Sequence, residues 1–336
     1  MNKTIYKVLI IGCGNIAGGY DLLRPEDALP IAQAKAFAKH GGFLLSACID
    51  PDNAKRQSFQ NRWKVPFGFS NLNEFEKHYQ QYDLISICSP SISHSHDIEA
   101  ALELKPKLIF CEKPMTLNLK ETIKAVKACA DQGVLLAVNF SRRWAPKVIQ
   151  LKKQLIQQDW GCIRSVSVFY NKGILNNGSH MIDLLFNLFG PLVVKYVGYP
   201  VSDFFKDDPT VDAVLVNLEG LPIHINVAHA QDYALFEMHI ITEKGVISME
   251  DGGDGWRFRS AQTSSHLPGY RFLDSNITKE TVNSYAMTAA VTNLHDALSY
   301  GAAIACTGYE AIQTQALCED IKKIASTHRS KQNFIK

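Results

Sequence analysis

The chain has 336 residues, 46% of them hydrophobic and 20% charged, with 35 Lys and Arg against 33 Asp and Glu. That length buries a substantial core and suits two domains, while the near balance of charge offers no field for a polyanion and argues against a nucleic-acid partner. No apolar run approaches the roughly 20 residues that span a bilayer, no secretory leader is recognised ahead of the first strand, and eight cysteines without a C-x-x-C pair read as core residues of a reducing, cytoplasmic protein, with neither disulfide frame nor metal site.

The first predicted element is a strand buried on both faces, Val8 to Ile11, which breaks into Gly12-Cys13-Gly14-Asn15-Ile16-Ala17. This is the pattern of a dinucleotide-binding turn. Gly12 permits a tight reversal, Gly14 lets the backbone approach a pyrophosphate, and Ala17 lets a helix pack close, with its N-terminus toward the phosphates at Gly14, Asn15 and Ile16. The next apolar run, Phe43 to Ile49, ends in Asp50, where a ribose-binding carboxylate favours NAD; nearby Arg56 keeps NADP open. Asp50 arrives later than the usual ~20 residues after the turn. The surplus, Gly18 to about Ile31, reads as an inserted loop.

Helical spacing follows over Asn53–Trp63, an extended segment over Val65–Phe69, and a short helix from Asn73 to about Tyr79. Tyr82–Cys88 is a buried strand ending in Ser89-Pro90-Ser91, with His94 and His96 behind it, either lining a cofactor pocket or capping the next helix. Lys107–Cys111 is another strand, ending in Glu112-Lys113-Pro114. A helix over Leu119–Gln132 and a strand over Val134–Phe140 complete an alternating pattern that predicts a doubly wound parallel sheet for residues 1–141. In open sheets of this kind the carboxyl ends of the strands face the ligand.

Residues 142–336 read differently. After a helix around Pro146–Gln158 come strands at Ile163–Tyr170, Val193–Tyr199, Ala213–Leu218, Ile223–His229, Leu235–Thr242 and Gly245–Met249, joined by tight turns. Strands in succession predict an α+β domain on an open, mostly antiparallel sheet. Helices at Tyr285–Tyr300 and Tyr309–Ser326 are expected to pack back on the first domain.

Three segments invite chemistry. Lys113 is either a surface lysine at a strand exit or a lysine held beside a nicotinamide to orient a substrate hydroxyl. A helix from about Asn176 would put Asn176, His180, Asp183 and Asn187 on one face of an otherwise apolar element, either as a functional stripe or as a capped helix with a satisfied buried histidine. Arg142-Arg143-Trp144 offers a bidentate contact to a substrate carboxylate or phosphate, or an ion pair.

Taken together, Gly12–Ala17, Cys88-Ser89-Pro90-Ser91 with His94, Glu112-Lys113-Pro114, Phe140 with Arg143-Trp144 and Pro146, and Gly178-Ser179-His180-Met181-Ile182-Asp183 closely resemble the Gfo/Idh/MocA oxidoreductases. The resemblance implies a Rossmann domain followed by a sheet domain that supports homodimers or homotetramers. It also implies hydride transfer between NAD(P) and a carbinol or ketone carbon of a sugar, cyclitol or nucleotide-linked sugar. It assigns Lys113, with a cis bond to Pro114, as the catalytic lysine and His180 as general acid and base. Gly12, Gly14, Asn15, Ile16, Asp50, Ser89, Pro90, His94, Glu112 and Lys113 would hold cofactor, and Arg143, Trp144, Asn176 and Asp183 substrate. Many members carry aspartate where this chain has Asn176, a departure that resembles the branch acting on nucleotide-linked amino-sugar uronates. A neutral amide orients a histidine or a substrate but cannot raise the histidine's basicity as a carboxylate does.

Overall fold

The computed structural model describes residues 4–76, 81–275, 278–281 and 285–332. It divides into two compact units, Met1–Ala145 with Ser284–Ile312, and Pro146–Asn283 with Gln313–Lys336.

In the first unit, β1 (Tyr6–Ile11), β2 (Phe43–Ile49), β3 (Phe67–Phe69), β4 (Leu84–Ile87), β5 (Leu108–Cys111) and β6 (Leu135–Val138) form one parallel sheet in the order β3-β2-β1-β4-β5-β6. Its connections contain α1 (Gln33–His40), α2 (Asn53–Trp63), α3 (Leu72–Glu76), α4 (His94–Glu103) and α5 (Leu119–Asp131). The order reverses at β1/β4, where such folds open a ligand crevice at the carboxyl ends. Every residue of β5, and Val8, Leu9 and Ile10 of β1, is fully buried, as a sheet covered on both faces requires. The end of the helix expected over Asn73–Tyr79 lies outside the described residues.

α8 (Ala286–Tyr300) belongs to this unit, and its Met287, Ala290, Val291 and Leu294 join the core. A 3₁₀ turn at Ser141–Trp144 packs on it.

The second unit opens with α6 (Pro146–Ile156), β7 (Ile163–Tyr170), a π-helical turn at Gly173–Gly178 and α7 (Ser179–Phe189). A mixed sheet then gathers β8 (Leu192–Phe205), β9 (Asp208–Asn217), β10 (Pro222–Val227), β11 (Phe236–Thr242), β12 (Gly245–Glu250), β13 (Gly255–Thr263), β14 (Arg271–Leu273) and β15 (Thr278–Thr281) with β7. The order is β14-β13-β12-β11-β7-β10-β9-β8, with β15 on β13. β7 and β10 pair in parallel and the other pairs are antiparallel. Alternate residues such as Val166, Val168, Tyr170, Met238 and Ile240 are buried on one face, as period-2 patterning demands. α9 (Gly308–Gln332) closes the described chain. Among the described residues no helix is long and apolar enough to cross a membrane, and no group of histidine, cysteine and acidic residues could hold a metal ion.

The sheet extends beyond the sequence reading. β8 continues to Phe205 and turns tightly into β9, with Phe205 opposite Asp208. β13, β14 and β15 were not expected, although Trp256-Arg257-Phe258-Arg259 alternates as an edge strand should.

Candidate active site

Gly12 stands at φ +90°, and a Cβ there would lie 2.5 Å from the Ser89 backbone nitrogen and 2.7 Å from the Cys88 carbonyl carbon. The turns after β1 and β4 therefore meet backbone to backbone, which only glycine allows. Gly14 is the opposite case: a Cβ there would meet nothing within 4 Å, so its main chain borders open space. Asp50 follows β2 and accepts from the Cys13 N–H through Oδ2 and from the Asp52 N–H through Oδ1, each at 2.8 Å. Its carboxylate thereby locks the glycine turn to the end of β2. Arg56 donates to the Asp50 carbonyl oxygen and to Asn53 Oδ1.

The helix behind the turn is interrupted where the inserted loop is expected, over Gly18 to about Ile31. One turn forms, with the N–H groups of Gly18 and Gly19 on the Gly14 carbonyl and Tyr20 on Asn15, and a 3₁₀ turn at Gly19–Asp21 follows. The helix resumes only at α1, where Gln33 N–H bonds the Ile16 carbonyl at 3.0 Å and Ala34 the Ala17 carbonyl at 2.7 Å. In a continuous α-helix those carbonyls would accept from residues about four further on. The inserted loop is thus an excursion out of one helix, and it accounts for the late position of Asp50. Buried Asp21 pins it: Oδ2 accepts from the Ile31 and Ala32 N–H groups, and Oδ1 lies 3.2 Å from Arg24 Nε and 3.9 Å from Lys35 Nζ.

The excursion also delivers Gln33 to the sheet edge. Gln33 Nε2 donates to Glu112 Oε1 at 2.7 Å, Asn139 Nδ2 donates to the same oxygen at 2.6 Å, and Ser86 Oγ donates to Gln33 Oε1. All four side chains are buried. This polar group sits directly before half-buried Lys113, whose bond to Pro114 is cis. Burial pushes the Glu112 carboxyl up from its ordinary value, against the opposing pull of Asn139, Gln33 and Lys113. The folded state therefore binds a proton that the unfolded chain releases, so Glu112 favours folding less as pH rises from the ordinary glutamate value to the raised one. Glu112→Gln keeps an accepting oxygen for both amides. The variant should gain stability relative to wild type as pH rises through that interval, read as the difference in urea midpoint between the two proteins.

His94, the first residue of α4, is 1% exposed, with Nδ1 2.9 Å from the Pro114 carbonyl oxygen and Nε2 2.8 Å from that of Ser89. It ties the β4 and β5 turns together from below and does not cap its helix through the side chain. Ser89 Oγ donates to Asp97 Oδ2 at 2.6 Å. Gly12, Ser89, Glu112 and Lys113 thus stand at the carboxyl ends of three adjacent strands, β1, β4 and β5. Trp144, expected at substrate, is 1% exposed, its ring edge-on to Phe110 and its indole N–H on Asn293 Oδ1 at 2.9 Å. It is a core residue that fixes the turn presenting Arg143, itself 9% exposed.

In the second unit, Asn176 lies in the π-helical turn and His180 at the start of α7, so the α-spacing of the predicted stripe holds only from His180 onward. Asp208, which sequence reasoning missed, anchors the turn: its two oxygens accept from the Leu175 and Asn176 N–H groups, each at 2.9 Å. Gly173 makes room, since a Cβ there would fall 2.2 Å from Asp208 Oδ2. Asn176 Nδ2 donates to the Lys172 carbonyl at 3.1 Å, and Ser179 Oγ donates to that of Asn176 at 3.0 Å. His180 is half-buried, whereas Asp183 is buried and accepts from Thr314 Oγ1, and Asn187 accepts from Lys152 Nζ. Asp208→Ala leaves two half-buried N–H groups without these acceptors and should cost about 1–3 kcal/mol in all, measured by urea unfolding.

Residues 6–140 match the model of the oxidoreductase family with an NAD-binding Rossmann fold, Gfo/Idh/MocA. An uncharacterized oxidoreductase of Bacillus subtilis, YrbE, is 44% identical over 108 residues, covering 32% of this chain and 31% of that protein. The scyllo-inositol 2-dehydrogenase (NADP(+)) IolW of the same organism is 29% identical over 126 residues, 32% of this chain and 35% of the relative. The chain thus spans about a third of the length of these curated relatives. Among solved structures, the WlbA dehydrogenase of Bordetella pertussis, in complex with NADH and UDP-GlcNAcA, superimposes with a TM-score of 0.74 at 21% identity, covering 96% of both chains. That likeness establishes the two-part fold.

Proposed function

Residues 6–140 match the NAD-binding Rossmann domain of the Gfo/Idh/MocA oxidoreductase family, and from that premise we propose that the chain belongs to this family and moves hydride between NAD and a carbinol or ketone carbon of a nucleotide-linked sugar. The observation that carries this reading is the convergence of Gly12, Ser89, Glu112 and Lys113 on the carboxyl ends of β1, β4 and β5, where such sheets hold their ligands. The open space beside Gly14 and the Asp50 carboxylate locked at the end of β2 suit a dinucleotide with a free ribose 2′-hydroxyl, and so NAD over NADP.

Bound nicotinamide would supply the carbon that accepts or returns hydride. Lys113 holds the substrate oxygen by hydrogen bonding, and His180 exchanges that oxygen's proton. Asn176 orients without relaying a proton. Arg143 is assigned to the charged part of the substrate, as a guanidinium suits phosphate or carboxylate.

A free cyclitol is the second reading, favoured by the inositol dehydrogenase among the sequence relatives. Nicotinamide absorbance with a panel of nucleotide-sugar uronates, nucleotide hexoses, free hexoses and inositols separates the two. Reduction of NAD by a nucleotide-linked sugar, weakened by Arg143→Ala through a higher KM, is the expected result. Reduction by inositol that Arg143→Ala leaves unchanged would favour the cyclitol. The proposal also carries a homodimer or homotetramer, supported by Tyr196, Tyr199, Phe204 and Phe205 standing exposed on β8.

A further inference from the structure

The second unit contains a cavity of about 330 Å³ whose lining includes none of the residues assigned to hydride transfer. One wall is aromatic: Trp160 and Phe258 lie near-parallel with centroids 5.8 Å apart, and Trp256 lies near-parallel to Phe258 at 6.5 Å. The register that pairs β13 with β15 sets Glu280 directly opposite Trp256. The other wall is α6, where Gln150 and Gln154, four residues apart, share one helix face. At the edge Lys147 Nζ meets Glu280 Oε2 at 2.9 Å, and Asp274 and Ser260 also line the space.

Three features define what fits. Aromatic faces pack against the C–H faces of a ring, and amide, hydroxyl and carboxylate groups match vicinal hydroxyls as donors and acceptors. The charged lining is one lysine, already paired, and two carboxylates, which repels phosphate. The volume lies at the low end of the roughly 300–1,000 Å³ typical of ligand sites, which suits a single ring.

We propose that this cavity between α6 and β13 binds a neutral polyhydroxylated ring, a monosaccharide or cyclitol, at a site separate from the catalytic residues. Neither the cofactor nor turnover is needed for this binding. The test is saturation-transfer NMR and titration calorimetry on the full chain with glucose, N-acetylglucosamine and myo-inositol, and with orthophosphate and UMP as anionic counterparts. Saturable binding of at least one neutral ring is expected, weakened about tenfold or more by Gln150→Ala with Gln154→Ala, since two hydrogen bonds are lost. Trp160→Ala should weaken it as well, while Lys113→Ala should retain it. Gln150 is exposed and Gln154 half-buried, so the double variant tests the site without opening the core. Absence of saturable binding by all three rings would overturn the proposal. So would binding that survives the double glutamine variant but is lost in Lys113→Ala, or displacement of the ring by phosphate.

Discussion

Lys113→Ala is expected to lower turnover by about 10²–10⁴-fold, the range over which a positioned proton-handling or hydrogen-bonding side chain acts, while dinucleotide binding persists. Lys113 follows β5 and the buried group formed by Ser86, Gln33, Glu112 and Asn139, so its backbone is held by contacts that the substitution leaves in place. The glycine turn and the Asp50 clamp are made by other residues. The loss should therefore fall on kcat more than on cofactor affinity. Arginine should not restore activity, because its planar fork is larger and donates in other directions than an ammonium. Steady-state kinetics beside calorimetric NAD binding measure both quantities. Turnover within a few-fold of wild type would remove Lys113 from the reaction.

The second large effect is expected from Gly12→Ala. The added Cβ would meet Ser89 N at 2.5 Å and the Cys88 carbonyl carbon at 2.7 Å, both rigid main chain, and alanine would have to hold φ +90°. Backbone strain of this kind costs about 1–3 kcal/mol, and forcing extra volume into a packed contact costs about 1–3 kcal/mol more. Separating the β1 and β4 turns would also move the main chain assigned to the cofactor. The urea midpoint should fall and NAD affinity should fall with it. Gly14→Ala is the comparison: its Cβ meets no protein atom, so it should leave folding nearly intact while weakening NAD. Equal stability for wild type and Gly12→Ala would contradict the close approach.

Much of the first unit was legible because its signals are local. Short, mainly apolar runs leading into Gly12, Ser89 and Glu112 mark strands buried on both faces together with their ligand-facing ends. What sequence could not place were groups whose role depends on distant partners. Gln33 reaches Glu112 only because a helix is interrupted and resumed, and Asp208 meets the Asn176 turn from a strand about thirty residues on. Trp144 beside Arg143 reads as part of a ligand-binding segment, yet its ring lies in the core and its N–H is taken by Asn293. The β8–β9 hairpin runs past the expected Val193–Tyr199 and Ala213–Leu218: Asp207-Asp208-Pro209 has loop-favouring composition, yet Asp208 and Pro209 belong to β9.

The central claim, hydride transfer between a nicotinamide and a sugar carbon, is tested most directly by product analysis. The full chain is incubated with NAD and the pooled sugars, and in parallel with NADH and the corresponding keto sugars, and the products are resolved by mass spectrometry. The account predicts one sugar that loses two hydrogens with matching formation of NADH, or the reverse, and that change is absent in Lys113→Ala. NAD shown to bind by calorimetry, with every sugar unchanged in both directions, would contradict it.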